Sequence, residues 1–508
     1  MRGAVQLWTH WLGEKAHPLR LAVETLCTTW ALWPLGVLTY VFFARMFYPI
    51  DLEWCEGGAL YEAYRLLHGL PLYSRADPSW APLPYPPVHT ALLALIGLVH
   101  LDFWTGRFLS VACFGLLCWT LFRECYRHLY RSSIGVAVGA LVVATVVCGY
   151  PVIGQWYDLV RVDTMMLALV LFGISRISER HTSMRSIVVA SICLTAAIFT
   201  KQTAAFFVAW ACLFAVVREP QVGFKLSALT FGMCAGTLGV LQWATKGGMW
   251  FWTVAGLANH KIEDAHVVEG LRYVWEFAPF FVIIPIAVLV LGLKGTLSER
   301  SILWSGIFCV ALPASLLPYA KAGGYLNNLM PLVVLVCPVT ALLVGDVART
   351  RGGWGALARW GLLCGLAFFV WNHPLKTSHY LPTAKDWRAA NELNALVASL
   401  PGGVVVPYLE FLPAHNGHSN PHWHSMVVWD SIWRGEPMNE VLALKKSNAR
   451  WVLLNTGDVG DLASYVRSNF GLAKRLPNSA NIRMITGAGI VINELWDRDL
   501  ITASPHRM

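Results

Sequence analysis

Long apolar runs separated by short polar stretches dominate the first three quarters of this sequence. A membrane-spanning helix needs about 20 mostly apolar residues to cross roughly 30 Å of hydrocarbon, and eleven runs approach that length. These predicted spans are 25–47, 104–122, 134–150, 163–176, 186–201, 203–217, 225–244, 279–293, 301–318, 328–345 and 354–372. The hydrophobic pattern therefore predicts an all-α membrane protein with about 11 spans.

One further apolar run is predicted not to cross. The stretch PVHTALLALIGLVHL, from Pro87 to Leu101, follows Pro86. As a helix it would reach only about 22 Å. We therefore expect a helix that lies along the membrane interface.

The distribution of charge supports this choice. With the N-terminus inside, the first outer loop contains Asp51, Glu53, Glu56, Glu62, Asp77 and Asp102. The inner loops contain Arg123, Arg127, Arg131, Arg176, Arg180, Arg185, Arg218, Lys225, Lys294, Arg300, Arg349, Arg351 and Arg359. This asymmetry fits the positive-inside rule and explains a formal charge of +9 without a nucleic-acid partner. Eleven crossings place the C-terminus outside.

Composition adds a domain boundary. The chain is 56% hydrophobic and 14% charged, whereas soluble domains carry about 25% charged residues. After residue 372 the pattern changes, and helix-like AKDWRAANELNALVASL alternates with strand-like VVVPY and RWVLL. We predict a transmembrane domain, 1–372, and a small α/β domain outside the membrane, 373–508.

The stretch FYPIDLEWCEGGALYEAYRLLHGLPLY follows the first span and concentrates acidic residues. A carboxylate at the edge of a bilayer is costly unless it is solvated, paired or used. A general base needs a fixed, partly dry position that raises its pKa. The candidate acids are Asp51, Glu53 and Glu56, with Glu62 further along. An ordinary solvated loop is the alternative, and the spacing does not decide between the two.

The same stretch predicts an amphipathic helix. Four apolar residues share one helical face, at i, i+3, i+4 and i+7 spacing: Leu60, Ala63, Tyr64 and Leu67. Gly57 and Gly58 precede this pattern, and Gly69 supplies a C-terminal stop.

Polar residues also stand at the outer ends of later spans. They are Arg161 and Asp163 in QWYDLVRVDTMM, Lys201 and Gln202 in FTKQTAAFF, and Lys321, Asn327 and Asn328 in PYAKAGGYLNNLMP. Cationic side chains in such places can hold a phosphate. Local ion pairs, snorkelling lysines and a tight turn are the alternatives. Because all these residues share one predicted face with the acids, they suggest a site for a lipid-linked anionic substrate.

Metal and nucleotide chemistry have little support. The segment AHNGHSNPHWHS contains His415, His418, His422 and His424, at spacings that match no strong zinc motif. A divalent metal is therefore neither required nor excluded, and the sequence requires no cofactor. The chain contains neither a Walker loop nor a GxSxG motif, so a nucleotide-driven pump or an α/β-hydrolase is not indicated.

An ordered series of motifs resembles the GT-C superfamily of integral-membrane glycosyltransferases. The motifs are IDLEWCEGGALYEAYRLLHGLPLY, LPYPPVHTALLAL, GRFLS, LVRVD, FTKQT and GGYLNNLMPL, within residues 20–345. The likeness is closer to bacterial members related to protein O-mannosyltransferases and aminoarabinose transferases. It implies a GT-C-like bundle with interfacial helices in the first outer loop, 1–372 as the catalytic domain, and a place in a bacterial inner membrane.

The resemblance also implies a reaction. A sugar would pass from a polyprenyl-phosphate donor to a hydroxyl of a glycan, lipid or protein acceptor at the outer face, with inversion. The acceptor-activating Asp carries over to Asp51, with Glu53 and Glu56 beside it. The arginine and acid of the second outer loop carry over to Arg161 and Asp163, and Lys201 would contact the donor phosphate. Further candidates for donor-phosphate or substrate binding are Gln202, His89, Tyr85, Lys321 and Asn327. The chain has Asp-Leu-Glu where the family has Asp-Glu, which leaves open which carboxylate is the base.

Two other functions compete with this one. A transporter or flippase of a lipid-linked or anionic substrate would show ionisable residues near mid-bilayer and repeat-like halves, and neither feature is evident in the sequence. A non-catalytic membrane scaffold would not need its acids and cations to meet.

Overall fold

The computed structural model describes residues 17–74, 80–179, 182–258, 260–349, 353–423, 439–476, 484–486 and 491–502. Four charged or histidine residues considered above lie outside these ranges: Asp77, Arg180, Arg351 and His424.

Helices form most of the region before residue 373. In chain order they are α1 His17–Met46, α2 Glu56–Leu67, α3 Val88–Gly97, α4 Phe103–His128, α5 Ser133–Cys148, α6 Val162–Ile177, α7 Met184–Ile198, α8 Ala204–Arg218, α9 Pro220–Ala244, α10 Asp264–Phe277, α11 Ile283–Leu293, α12 Glu299–Ala320, α13 Met330–Ala348 and α14 Gly353–Asn372. Each of the eleven predicted spans coincides with one of these helices.

Not every coinciding helix is long enough to cross a bilayer by itself. Six helices of the described chain are long and apolar enough: α1, α4, α9, α12, α13 and α14, with α13 extended at its start to Leu326. A seventh candidate is the pair formed by α10 and the segment Pro279–Leu293, which bends by 111°. The helices α5 to α8 have only 15 or 16 residues, about 24 Å at most. The total of eleven crossings therefore stays a prediction.

The first loop contains two short helices. The helix α3 has 10 residues and reaches about 15 Å, so it is too short to cross, in agreement with its exclusion above. The helix α2 forms where predicted, and Gly69, at φ 67°, follows its end. The prediction that Gly57 and Gly58 precede α2 is wrong, because both lie in its first turn. The helix is also buried on more than one face, since the C-terminal region covers it.

The C-terminal region contains a small mixed sheet. Its strands are β1 Val404–Val405, β2 Trp451–Leu454, β3 Gly471–Arg475 and β4 Glu494–Asp497, in the order β1-β2-β4-β3. Only the β1–β2 pair is parallel, and Val452 faces Trp496 across β2 and β4. The helices are α15 Ala384–Ser399, α16 Phe411–His415, α17 Glu440–Ser447, α18 Asp461–Asn469 and α19 Asp499–Thr502. The strands within VVVPY and RWVLL, and the helix that follows Pro382, form as predicted.

The C-terminal region is bonded to the first loop. The Leu52 carbonyl accepts hydrogen bonds from the backbone amides of Ile485, at 3.1 Å, and Thr486, at 3.0 Å. The Thr486 hydroxyl donates to the Gly154 carbonyl at 2.6 Å. One hydrophobic core includes both Leu141 of α5 and Leu393 of α15. The division at residue 373 therefore stays a prediction, while the sheet region holds the loop that carries the candidate acids.

Candidate active site

Glu56 begins α2 and is held by Arg107 of α4. Its two carboxylate oxygens accept from Arg107 Nε at 3.1 Å and Nη2 at 2.8 Å. They also accept from the backbone amides of Val160, at 3.0 Å, and Leu52, at 2.7 Å. Burial alone would raise the pKa of Glu56, but the Arg107 charge and these hydrogen bonds outweigh it and lower that pKa. Because the Glu56 carboxylate accepts from four donors, its role is to hold the loop in place.

Asp51 is fully buried, at 0% exposure, and only partly satisfied. Its Oδ1 accepts from the Gly57 amide at 2.5 Å. Its Oδ2 has no hydrogen-bond partner in the described part of the chain. Burial, followed by the charge of Glu56, raises the pKa of Asp51 well above its usual value. Asp51 thus combines an oxygen that lacks a hydrogen-bond partner with a setting that makes the carboxylate basic.

Glu53 joins the acidic loop to the candidate cations. Its Oε2 accepts from the Cys55 amide at 3.2 Å and lies 3.4 Å from Arg161 Nη1. Its Oε1 lacks a hydrogen-bond partner among the described residues. Burial raises the pKa of Glu53 to about 7 even though Arg161 opposes this. The first loop and the start of α6 therefore meet at this ion pair, as the sequence predicted.

Arg161 precedes α6 and stands between two aromatic rings. Its guanidinium carbon lies 5.7 Å from the Tyr85 ring centroid and 5.5 Å from that of Trp156. Its Nη2 donates to the Tyr85 hydroxyl at 3.3 Å. Its Nε is buried without a hydrogen-bond acceptor in the described ranges. The guanidinium thus keeps donor capacity for an anion.

Asp163 and Lys201 form the other half of the site. Lys201 Nζ donates to Asp163 Oδ1 at 2.6 Å and to Asn328 Oδ1 at 2.9 Å. Asn327 Nδ2 donates to the same Asp163 oxygen at 3.0 Å. These residues, together with Met166, Thr203, Ala314, Met330 and Pro331, line a narrow crevice. The Lys201 ammonium is therefore held by a carboxylate and an amide.

The remaining predicted residues are His89, Gln202 and Lys321, of which Lys321 makes its contact elsewhere. His89 is buried near this cluster, and its pKa is lowered to about 4 by burial and then by the charge of Arg161. Gln202 donates to the Pro84 carbonyl at 2.8 Å and to the Thr253 carbonyl at 2.6 Å. Lys321 instead donates to the Leu257 carbonyl at 2.7 Å. Its described contacts do not bring Lys321 to the cluster.

Two residues at the site were not assigned from the sequence. Arg107, in the quoted motif GRFLS, is fully buried. An arginine inside an apolar run is costly without a partner, and that signal could have identified it. Glu410 of the C-terminal region lies against Gly58 of α2, and no local pattern in the sequence indicated this contact.

The structure shows no metal centre in the ranges that it describes. Among these residues, no group of three or more His, Cys, Asp or Glu side chains is arranged to hold an ion. His418 places its ring nitrogens 2.8 Å from the Gly402 carbonyl and 2.9 Å from the Val397 carbonyl. His422 is buried against Tyr61. These two histidines thus hold the C-terminal region together.

Comparison with solved structures shows which fold this is. ArnT from Cupriavidus metallidurans bound to undecaprenyl phosphate is similar over 94% of this chain and 100% of that chain, with 12% sequence identity and a TM-score of 0.59. The same protein in the apo state is similar over 94% and 99%, with 11% identity and a TM-score of 0.57. No protein-family model matches the chain, and no curated protein matches it.

At this level of identity the likeness shows the fold alone. ArnT is a GT-C glycosyltransferase, and the similarity extends along nearly the whole of both chains. The GT-C resemblance drawn from the ordered motifs is therefore confirmed at the level of the fold.

Proposed function

We propose that this protein is an integral-membrane glycosyltransferase that moves a sugar from a polyprenyl-phosphate donor to an acceptor hydroxyl. The observation that carries the proposal is the contact of the acidic first loop with the cations at the later helix ends. Glu53 and Arg161 make that contact at 3.4 Å. The fold of a protein whose structure contains undecaprenyl phosphate supports the choice of donor.

Asp51 is the proposed general base. The acceptor oxygen attacks the anomeric carbon, the bond from that carbon to the phosphate oxygen breaks, and the acceptor proton passes to Asp51 Oδ2. Its buried setting raises the pKa toward the working range, which is what base catalysis needs. Because the mechanism uses one base and no covalent intermediate, it inverts the anomeric configuration.

Arg161 and Lys201 are the proposed phosphate ligands. Charge develops on the phosphate oxygens as the bond breaks, and preorganised donors in a dry site stabilise it strongly. Asp163 and Asn328 hold the Lys201 ammonium in place, while the rings of Tyr85 and Trp156 hold Arg161. A polyprenyl phosphate is already a good leaving group, so the site needs no strong general acid.

The topology and acceptor complete the proposal. The site faces the outer side of a bacterial inner membrane, with the N-terminus in the cytoplasm and the C-terminal region outside. The acceptor is a hydroxyl of a glycan, a lipid or a protein. The sequence requires no cofactor for this reaction.

The test is transfer by the purified, lipid-reconstituted protein from a panel of undecaprenyl-phosphate sugars, scored as release of undecaprenyl phosphate together with glycosylated acceptor. We expect Asp51→Asn to lower kcat by at least about 100-fold and Lys201→Ala to weaken donor binding. Glu179→Gln, a change far from the site, is the matched control and should transfer normally. Full activity in Asp51→Asn would remove Asp51 as the base. Movement of the intact donor across the membrane without cleavage would instead establish a flippase.

A further inference from the structure

The C-terminal region brings a second buried carboxyl to the helix turn that holds Asp51. Glu410 directly precedes α16 and is 1% exposed. A Cβ atom on Gly58 would stand 2.5 Å from its Oε1. A Cβ atom on the neighbouring Gly57 would stand 2.7 Å from Asp51 Oδ1. Two carboxyls from distant parts of the chain thus rest on consecutive glycines of α2.

The two glycines explain how both acids can approach the helix. A Cβ contact below 3.0 Å forces one of the two groups to shift, so a side chain at either position would displace a carboxyl. The first turn of a helix also presents free amides and partial positive charge, which favour a carboxylate.

Packing fixes Glu410 in this position. The Phe411 ring meets that of Phe103 edge-on at 5.5 Å. The His422 amide donates to the Tyr61 hydroxyl at 3.1 Å. Phe103 begins α4 and Tyr61 lies in α2, so the segment around Glu410 is held on two helices that carry site residues.

We propose that Glu410 is a positioning residue that tunes Asp51, so that the C-terminal region completes the active site. The proposal rests on the proposed function, in which Asp51 is the base. Two neighbouring acids titrate as a pair, because ionisation of one disfavours ionisation of the other. An ionised Glu410 thereby opposes ionisation of Asp51. Glu56 and Glu53 act in the same direction on Asp51, and Arg107 acts in the opposite one. Burial, and then the charge of Asp51, raises the pKa of Glu410 well above its usual value.

The first test is the pH dependence of transfer by the full-length protein. We expect Glu410→Gln to move the acidic limb of the kcat/KM profile toward lower pH by about one unit, and Glu410→Asp to restore part of the shift. Gly58→Ala, which displaces the carboxyl without removing it, should shift the limb in the same direction. Asp497→Asn is the matched control, because Asp497 is a buried acid of the same region that pairs with Arg450. An equal shift in Asp497→Asn, or no shift in Glu410→Gln and Gly58→Ala, would overturn the proposal.

A second test does not depend on catalysis. A double-mutant cycle compares the unfolding equilibrium constants of Asp51→Asn, Glu410→Gln and the double variant at neutral pH. We expect the effects to be non-additive by at least threefold, since the residues are coupled. Additivity would overturn the pairing. Coupling in a protein that transfers no sugar would contradict the proposed function while supporting the pair.

Discussion

The two ends of the helical bundle both bury charge, but they balance it differently. At the end formed by the C-terminal halves of α4 and α6, which we call the arginine end, three acids that are buried or partly buried each have an arginine. The pairs are Glu124–Arg300 at 3.1 Å, Glu179–Arg127 at 2.9 Å and Asp346–Arg349. At the opposite, site end, Glu56, Glu53 and Asp163 have cations, whereas Asp51 and Glu62 form no ion pair with any described residue.

This difference indicates that the charges of the arginine end serve stability, whereas those of the site end serve chemistry. At the arginine end, the matched pairs serve structure. An unmatched buried carboxyl is costly as an anion, so it holds a proton at pH values where a solvated acid would not. Groups tuned in this way cluster at functional sites. The excess of buried acid at the site end is therefore a sign of function.

The largest expected effect comes from breaking a fully buried pair at the site end. Arg107→Met leaves the Glu56 carboxylate buried without its cation, and we expect a loss of about 3–5 kcal/mol in the free energy of unfolding. Arg127→Met at the arginine end is the matched control. The Arg127–Glu179 pair is partly exposed, so that loss should stay below about 1 kcal/mol. Thermal unfolding in detergent measures both, and equal losses would contradict the comparison.

The next effect is a pH dependence that belongs to Glu62. This carboxyl accepts from the Leu83 amide at 2.6 Å and the Thr90 hydroxyl at 3.0 Å, and burial raises its pKa to about 8. A raised pKa in the folded state stabilises below the unfolded value, about 4.3, and that stabilisation is lost as the pH rises through about 8. We therefore expect melting temperatures of the wild type to fall between pH 5 and pH 9.

Glu62→Gln isolates that contribution. The amide keeps the size of the side chain but cannot ionise. The melting temperature of the Glu62→Gln variant should therefore fall less steeply than that of the wild type between pH 5 and pH 9. The difference should amount to a few kcal/mol at the alkaline end. Glu179→Gln, at the arginine end, is the control, and its melting temperature should depend on pH as that of the wild type does. Identical curves for Glu62→Gln and the wild type would show that Glu62 is not an unmatched buried acid.

How much of the fold and of the candidate site the sequence predicts depends on how far apart in the chain the interacting residues lie. The helices coinciding with the predicted spans, the α2 stop at Gly69 and the strand in RWVLL follow from local periodicity and local turn chemistry, and all were predicted. A shared site for the loop acids and the later cations was predicted by placing both on one face of the membrane, and the contact of Glu53 with Arg161 fits that prediction. These are patterns that neighbouring residues, or topology alone, determine.

The partners within the site could not be predicted in the same way. Glu56 and Arg107 are 51 positions apart, and which acid of a dense loop meets which arginine depends on how α1, α2 and α4 pack. The burial of α2 on several faces depends on coverage by the C-terminal region. No periodicity in a single chain reports that contact, so the α2 pattern indicated only one apolar face.

A smaller effect than the loss of Arg107 is expected from adding one methyl group at the site end. In Gly57→Ala the new Cβ would stand 2.7 Å from Asp51 Oδ1, so the carboxyl has to move. We expect transfer to fall by about 10-fold and the free energy of unfolding by about 1–3 kcal/mol. Gly236→Ala in α9 meets nothing within 4 Å. It should keep full transfer and gain up to about 1 kcal/mol in helix stability, and a loss of transfer there would undermine the specificity of the Gly57 result.

The smallest expected effect concerns Arg161, which the site end holds in place while some of its hydrogen-bond donors stay without an acceptor among the described residues. At the arginine end, Arg349 has one aromatic ring beside its guanidinium, that of Tyr130 at 5.7 Å. Arg161 has two such rings, those of Tyr85 and Trp156. Tyr85→Phe removes one hydrogen bond of 3.3 Å but keeps the ring, so the donor KM should rise by less than about fivefold. Tyr85→Leu also removes the cation–π contact, and the KM should rise further, by a factor that corresponds to about 0.5–2 kcal/mol. Steady-state kinetics with an undecaprenyl-phosphate sugar measure both, at unchanged kcat. Equal KM values for Tyr85→Phe and Tyr85→Leu would mean that the ring does not hold the guanidinium, and the contrast between the two ends would then rest on the acids alone.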